Sequence, residues 1–600
     1  MTRMFLIILL IISTDIPLYA MNTDTGTYNN DIKKTIAHMT ILEKIGQLFI
    51  VPILDCDSDS EMTECQKTFM AQSPYKMDHI YVRKLIEKYH IGGVIFLGCN
   101  LQQKRVKQTI TMLQNTNKTA SAHKDSGYIP LIIMLDAEWG PNMRITDMPE
   151  LPRAMTLGSL KVEHDWLIYE MGRMVAYQCS ELGVHMNLAP VIDINSNPKN
   201  PIINTRSFGQ DKQLVTNKAL LYLTGMQDGG LLTCLKHFPG HGDTNQDSHL
   251  TLPKITHTKE HLINHELFPY IQLIATNKID AIMTAHLEIP SLEPDLNRPS
   301  SLSHDVVTKL LKEELGFTGT VITDGLGMHG VTHNTGTHNT NTYNQSHAEI
   351  ALEALKAGNH ILLCAVDVPA AILRIEHAIH THEISEEYLN TAVSKMLMLK
   401  EKAFKNTDSR TPDTTQNIRP DIRSNIKSSI KPDIKPSIKP SMSIKQLQES
   451  LYNNAIILLK NDHTTWPLKQ CPNRGDHKKL DNYQQIQKTT IIYLYGLTKD
   501  GEIPTTLNWS EKPTKLDNSQ EDSPLIQLKK AKDRGDLCMV IALGSPYGID
   551  AYADADAILL CCENSTPARD AMRRALMGEI IPNGRLPVDT GVFKMGTGLN

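Results

Sequence analysis

Three features that would narrow the function at once are missing from this sequence. The 600 residues carry a net charge of only -5, which gives no reason to expect a nucleic-acid partner. Beyond the N-terminus no segment reaches the ~20 apolar residues that a transmembrane helix needs. The ten cysteines are scattered, and none of their spacings resembles a zinc site. With 40% hydrophobic and 21% charged residues, the composition is typical of a soluble globular protein.

The N-terminus does contain an apolar run, and its pattern is that of an export signal. Arg3 precedes the apolar residues 5–12, and the segment ends in Leu-Tyr-Ala at position 20. We interpret residues 1–20 as a signal peptide, because the run is too short to cross a ~30 Å hydrocarbon core. We therefore expect an exported protein, periplasmic or secreted, with no stable membrane span after removal of the signal. Export also permits a disulfide between Cys56 and Cys65, and both redox states of this pair stay open.

Short apolar runs alternate with helix-like segments over the next part of the chain. Eight such runs over ~350 residues predict a (β/α)8 TIM-type barrel, which we assign to residues 31–403. The predicted strands are 48–53, 93–97, 131–135, 185–188, 231–235, 281–284, 320–323 and 360–364. Polar residues stand at or just past the ends of several of these runs, which is the face where barrel enzymes build their sites.

The composition changes sharply after the predicted barrel. Between residues 406 and 443 isoleucine recurs every four positions, with a basic residue next and often proline after it. Proline in a helix interior removes a donor and clashes with the preceding turn, so we predict an extended linker. Residues 444–600 contain four further apolar runs, at 455–459, 490–495, 538–543 and 557–562. They predict a smaller α/β sandwich domain.

The densest group of chemically useful residues follows the fifth predicted strand. It reads KHFPGHGD over residues 236–243 and continues to Asp247 and His249. Lys236 and His237 can donate hydrogen bonds into the barrel mouth. In an extended stretch Asp247 and His249 would project to the same side, where the carboxylate would orient the imidazole and favour its protonated form. We therefore expect His249 to be a proton donor.

A second feature is the strand at 320–323 that ends on Asp324. Burying an unpaired carboxylate is costly, so a functional role is favoured, and a nucleophile facing a proton donor is the role we predict. An N-cap of the following helix is the structural alternative.

Two more segments offer binding groups. Asp136 ends the third predicted strand and Arg144 follows eight residues later, while Arg206 lies on a loop after Asp193. The acid can accept hydrogen bonds from hydroxyl groups and the arginines can hold polar substituents. An ion pair with a neighbouring acid is the alternative for Arg206.

The run from Lys236 to His249 resembles the signature of glycoside hydrolase family 3, in its β-N-acetylglucosaminidase branch. The resemblance extends over residues 31–403, and the segment 578–588 resembles the second domain common in that family. It implies a retaining exo-β-N-acetylglucosaminidase without a cofactor, acting on glycans that contain N-acetylglucosamine or on peptidoglycan fragments. It also implies catalytic roles for Asp324 as nucleophile, His249 as acid/base and Asp247 as its partner, and sugar binding by Asp136, Arg144, Arg206, Lys236 and His237.

Other functions stay open at this point. Within the same family, a β-glucosidase or xylosidase specificity or phosphorolysis is an alternative, and a catalytically inactive glycan-binding protein is another. A metal-dependent hydrolase is a rival because His237 and His241, like His261 and His265, are four residues apart, and helical histidines at that spacing can chelate. Pro239 and Gly240 prevent a regular helix between the first pair, and we predict no catalytic metal.

Overall fold

The computed structural model describes most of the chain. It covers residues 25–54, 62, 64–98, 101–122, 124, 126–332, 346–408, 440–462, 466, 489–497 and 523–599. The predicted signal peptide at 1–20, the side chains of Cys56 and Cys65 and most of the predicted linker lie outside these residues. Among the residues covered, no helix combines the length and the apolar character that crossing a bilayer requires.

Eight parallel strands form the barrel that the sequence predicts. They are β1 (Phe49–Ile53), β2 (Gly93–Phe96), β3 (Ile132–Leu135), β4 (Met186–Asn187), β5 (Leu232–Phe238), β6 (Ala281–Thr284), β7 (Thr320–Thr323) and β8 (Leu362–Leu363). From β1 to β7 each strand pairs with the next in parallel, and β1 also pairs with β8. The barrel closes between β7 and β8, where the Ile361 N–H donates to the Val321 carbonyl at 3.1 Å.

The strands are buried along their whole length. Helices cover the outside of the barrel, so both faces of each strand contact apolar groups, and this explains the continuous apolar runs. Helix starts follow local capping rules: the Asp211 side chain, for example, accepts from the Leu214 N–H at 2.8 Å.

The helices of this region wrap the barrel in chain order. They are α1 (Thr25–His38), α2 (Ile41–Gln47), α3 (Glu64–Gln72), α4 (His79–Tyr89), α5 (Gln103–Ala120), α6 (Ala154–Gly158), α7 (Trp166–Leu182), α8 (Lys212–Asp228), α9 (Lys259–Asn264), α10 (Phe268–Ile274), a π-helix (Asp305–Glu314), α11 (His329–Thr332), α12 (His347–Ala357), α13 (Val368–His380) and α14 (Glu386–Asp408).

A second, smaller sheet follows, as the sequence predicts. Its strands β9 (Ile457–Asn461), β10 (Thr489–Leu497), β11 (Leu537–Gly544) and β12 (Ala557–Cys561) are ordered β10-β11-β12-β9. The first three in that order are parallel, and β9 is antiparallel to β12. Separate apolar clusters pack on the two faces, with α15 (Ile444–Ala455), α16 (Pro524–Asp533) and α17 (Thr566–Leu576) alongside. The fold is therefore the predicted α/β barrel followed by an α/β sandwich.

The second domain contacts the loops at the barrel mouth. The Asn195 amide donates to the Tyr547 hydroxyl at 2.6 Å, and the Ser545 hydroxyl donates to the Asn204 side chain at 3.2 Å. Asn204 begins the short 3-10 turn that ends at Arg206. The sandwich thus helps to hold a loop that carries one of the predicted binding residues.

Candidate active site

A cavity of about 380 Å³ opens at the carboxyl ends of the barrel strands. Seven of the eight residues singled out from the sequence line it: Asp136, Arg144, Arg206, Lys236, His237, His249 and Asp324. The eighth, Asp247, is not among the residues that line the cavity and contacts Nδ1 of the His249 ring. The described residues that line this cavity all belong to the barrel region. Its apolar wall includes Leu54, Ile95, Leu97, Leu188 and Met283.

Asp136 is the centre of one group of charges in the cavity. Its two oxygens accept from the Lys236 ammonium at 2.9 Å and from the Arg144 guanidinium at 2.9 Å. Burial alone would raise the pKa of Asp136, but the two cations outweigh it and lower this pKa to about 2. Asp136 is therefore ionised at neutral pH, and its partnership with Arg144 orients both groups in the cavity wall.

Glu138 joins this group although the sequence analysis did not select it. Arg206 grips Glu138 through two hydrogen bonds, from Nε at 2.9 Å and from Nη2 at 2.7 Å. Lys236 lies 2.8 Å from the same carboxylate. Burial opposes ionisation of Glu138, yet Arg206 and Lys236 hold its pKa well below the usual range. The ion pair foreseen as the alternative for Arg206 is thus present, and it positions the guanidinium beside the cavity.

His237 is fixed by a buried acid behind it. Its Nδ1 lies 2.7 Å from Asp193 Oδ2, and its Nε2 lies 3.3 Å from the Arg206 guanidinium. Asp193 also accepts from the backbone N–H of His241 at 2.7 Å. Burial would raise the pKa of Asp193, but the His237 contact lowers it overall. His237 is consequently oriented by hydrogen bonds on both ring nitrogens.

His241 is equally engaged. Its ring nitrogens lie 2.8 Å from the Thr244 hydroxyl and 2.9 Å from the Ser248 hydroxyl, and burial lowers its pKa to about 4. The hydrogen bonds of His237 and His241 account for the positions of both rings, which meet edge to face at 5.9 Å between centroids. The loop after β5 is thereby internally braced.

The Asp247–His249 contact exists, but its geometry differs from the extended stretch assumed from the sequence. Residues 248–250 form a turn. Oδ1 of Asp247 lies 2.8 Å from His249 Nδ1 and also accepts from the His249 backbone N–H at 2.8 Å. A carboxylate that bonds both the backbone and the ring of a residue two positions later is an Asx-type turn. The turn leaves the Nε2 side of the imidazole directed away from the acid.

Asp324 follows β7 and is held mainly by its backbone. Its N–H donates to the Thr284 carbonyl at 2.9 Å, and Oδ1 accepts from the Gly325 N–H at 2.8 Å. Among the described residues no other hydrogen bond reaches this carboxylate. The next helix, α11, begins only at His329, so the capping alternative has no support.

The charge environment of Asp324 keeps it ionised. Burial would raise the pKa of Asp324, but its interactions with His237, His286 and His249 and the hydrogen bond from the Gly325 N–H lower it overall. His286 itself is buried, with its ring between the Ser301 hydroxyl at 2.7 Å and the Gly325 carbonyl at 3.0 Å. It supports the turn on which Asp324 stands.

The residues missed from the sequence are partners of those that were found. Glu138 lies two positions after Asp136, so its place after the third predicted strand could have revealed it. Asp193 lies in a loop and does not directly follow a predicted strand, so the strand pattern could not reveal it. A groove of about 690 Å³ adjoins the cavity and shares Ile202 and Arg206 with it. Its other side includes residues 544–545 and 562–565 of the second domain. No pattern in the sequence pointed to this groove.

The chain is similar to known proteins over the region that contains the cavity. Residues 40–399 match the family described as "Glycosyl hydrolase family 3 N terminal domain". Beta-hexosaminidase A of Pseudoalteromonas piscicida is 32% identical over 341 residues, which are 53% of this chain and 54% of that protein. Beta-hexosaminidase LpqI of Mycobacterium tuberculosis is 29% identical over 329 residues, 53% of this chain and 77% of that protein. The match thus spans about half the length of the first relative.

Two solved structures resemble the chain over nearly its whole length. A family 3 beta-N-acetylglucosaminidase from Paenibacillus sp. has a TM-score of 0.67 at 23% identity, covering 92% of this chain and 99% of that one. The beta-glucoside phosphorylase BglX has a TM-score of 0.68 at 18% identity, covering 96% and 98%. At these identities the likeness shows a shared fold. The matches confirm the family resemblance found in the sequence.

Proposed function

Because the chain belongs to glycosyl hydrolase family 3, we propose that it is a retaining exo-β-N-acetylglucosaminidase in which Asp324 and His249 carry the reaction. The observation that supports this most directly is that both side chains line one cavity. Asp324 is ionised and lightly hydrogen-bonded, as an attacking carboxylate must be. His249 is oriented by Asp247, as a proton carrier must be.

The reaction would run in two steps. Asp324 attacks the anomeric carbon while His249 gives its proton to the departing oxygen, which breaks the glycosidic bond and leaves the sugar on Asp324. Water then enters, His249 accepts a proton from it, and the ester to Asp324 is cleaved. Two inversions at the anomeric carbon return the β configuration. The charge on Asp247 would stabilise the imidazolium of His249 that is present before the first step and is formed again in the second.

The remaining cavity groups suit recognition of one polar sugar. The volume of about 380 Å³ lies at the small end of the ~300–1,000 Å³ range for ligand sites, which favours a single terminal residue. Lys236, Arg206 and Arg144 present donors whose positions are set by Asp136 and Glu138. Such donors can bind sugar hydroxyls and the acetamido carbonyl. The rest of the glycan would extend from the cavity along the adjoining groove, which the second domain also lines.

For the natural substrate we propose extracytoplasmic glycans that contain N-acetylglucosamine, including peptidoglycan fragments. The beta-hexosaminidase relatives support the sugar, and the N-terminal signal pattern supports the location.

Hydrolysis of an aryl β-N-acetylglucosaminide by the purified chain tests the proposal. The first product seen by proton NMR should be the β-anomer, before mutarotation mixes the anomers. Initial appearance of the α-anomer would exclude a retaining reaction. Aryl glucosides and xylosides should be poorer substrates, and added phosphate should yield no sugar 1-phosphate. Bound sugar without any turnover would favour the glycan-binding alternative.

A further inference from the structure

A second group of chemically useful side chains lies outside the cavity, on the segment that follows the catalytic loop. His257 and His261 stack with ring centroids 4.0 Å apart, and His261 Nε2 lies 3.7 Å from Glu266 Oε1. One ligand atom from each of the three residues can be chosen so that all lie within 4.8 Å of one another. None of the three lines the sugar cavity.

Glu266 is unusual because it is buried while half of its carboxylate has no partner. Its side chain is only 2% exposed. Oε1 lies 3.2 Å from His265 Nδ1, whereas Oε2 is buried without any hydrogen bond. A buried carboxylate oxygen that lacks a partner is costly. The arrangement therefore lacks a positively charged or donating group at this point.

We propose that His257, His261 and Glu266 bind one divalent transition-metal ion, with Zn²⁺ as the best fit, at a site separate from the active site. Two imidazoles and one carboxylate form a ligand set that zinc takes, with a fourth position left for water or another side chain. Imidazole favours zinc over calcium or magnesium, which prefer all-oxygen sites. The separation of 3.7 Å between His261 Nε2 and Glu266 Oε1 is close to the ~3.3 Å edge of a zinc tetrahedron. Because the ligand atoms of all three residues lie within 4.8 Å of one another, side-chain rotations can bring them to that spacing.

Access to the site is open on one side. The side chains of His257 and His261 are 35% and 46% exposed, whereas Glu266 is buried beneath them. An ion can therefore enter from solvent and reach the buried carboxylate, whose charge it would neutralise.

The site also contacts the loop that carries His249. His257 Nε2 lies 2.5 Å from Asp243 Oδ2, and Asp243 belongs to that loop. Gly240 has a φ of +133°, and a Cβ added there would lie 2.8 Å from the Glu266 Cβ, so the loop backbone rests directly on Glu266. A metal on these ligands would tie the loop to the segment behind it.

Zinc binding by the full chain, prepared without a histidine tag and freed of metal, tests the proposal. Titration against a chromophoric chelator should show one Zn²⁺ equivalent that the double variant His257→Ala/His261→Ala lacks. Glu266→Gln keeps the shape of the side chain and should weaken binding at least ~10-fold. Replacement by Co²⁺ should give the intense visible bands of a four-coordinate site in the wild type and not in the double variant.

The matched control is His377→Ala/His380→Ala, which removes two histidines from the last turn of α13. It should keep the equivalent that the first double variant loses. Equal zinc stoichiometry and affinity in the wild type and both double variants would overturn the site. Unchanged thermal unfolding without metal shows that a lost equivalent is not a folding defect. If the first double variant fails to fold, Glu266→Gln decides the question alone, and wild-type zinc affinity in that variant would overturn the site.

Zinc should also slow hydrogen exchange of residues 239–249, and unchanged exchange in the zinc-loaded protein would overturn the link to the loop.

Discussion

The charged side chains on the two sides of the cavity differ in how fully they are paired with groups of opposite charge. On one side, Asp136 and Glu138 are saturated by Lys236, Arg144 and Arg206 through contacts of 2.7–2.9 Å. Each charge there has a partner of opposite sign, so the positions of the donors are fixed before any ligand arrives. Fixed donors favour recognition, because little side-chain entropy is lost on binding.

On the other side, Asp324 has only the Gly325 N–H as a hydrogen-bond donor among the described residues, and His249 lies in a turn where Asp247 contacts its ring. A carboxylate neutralised by a cation would be a poor nucleophile, whereas one stabilised by partial charges keeps its reactivity. Under the proposed function, the fully paired side chains are those that bind the sugar, and the sparsely paired Asp324 is the one that attacks it. The following predictions test this division.

The largest effect is expected from Asp324→Asn. The amide keeps the shape but cannot form the glycosyl ester, so turnover should fall by roughly 10⁴-fold or more, while thermal unfolding stays close to wild type. Steady-state hydrolysis of the aryl glycoside measures this. With Asp324→Gly, azide should restore turnover and give the α-glycosyl azide, since the anion enters from the vacated face. If Asp324→Asn keeps more than a small fraction of the wild-type turnover, Asp324 is not the nucleophile.

The next effect is expected from Asp247→Asn. The amide oxygen can still accept from the His249 backbone, but the negative charge beside the imidazole is lost, so kcat should fall by roughly 10²- to 10⁴-fold. The pH profile of kcat should change as well, which a purely structural role would not cause. Asp243→Asn is the matched control, because Asp243 lies in the same loop and also contacts a histidine, His257, but does not line the cavity. If both variants behave alike, the Asp247–His249 pair has no special role.

A smaller effect is expected on the binding side from Arg206→Lys. Lysine keeps the charge but cannot reproduce the two-pronged contact with Glu138, so KM should rise by about 10-fold with little change in kcat. Arg374→Lys provides the control, since Arg374 grips Glu349 through Nε at 2.7 Å and Nη2 at 3.2 Å outside the cavity. A fall in kcat at constant KM would place Arg206 among the reacting groups and break the division.

The sequence predicted which residues line the cavity better than it predicted the contacts between them, for a physical reason. The barrel strands are continuous apolar runs, so their ends could be located, and Lys236, Asp324 and Asp136 follow from those ends. His249 and Asp247 stood out because the loop after β5 concentrates histidines and acids. Which charges neutralise which could not be read from the sequence, because Glu138 and Arg206, 68 positions apart in the chain, meet only in the folded barrel. The turn at Asp247 was mistaken for an extended stretch because a single Asx hydrogen bond leaves little trace in composition.

The smallest effect concerns acid stability on the binding side. The pKa of Asp136 is lowered to about 2 from an ordinary value of 3.8, so between these two values the unfolded chain binds more protons than the folded one. The stability contributed by ionised Asp136 is therefore complete above pH ~4 and is lost as the pH falls towards ~2, an effect on the order of 2 kcal/mol. Thermal unfolding of the wild type and Asp136→Asn should differ most near pH 6 and converge towards pH 2. The exposed Asp570→Asn serves as the control and should track the wild type throughout. A constant gap between wild type and Asp136→Asn at all pH values would mean that Asp136 acts through its shape rather than its charge.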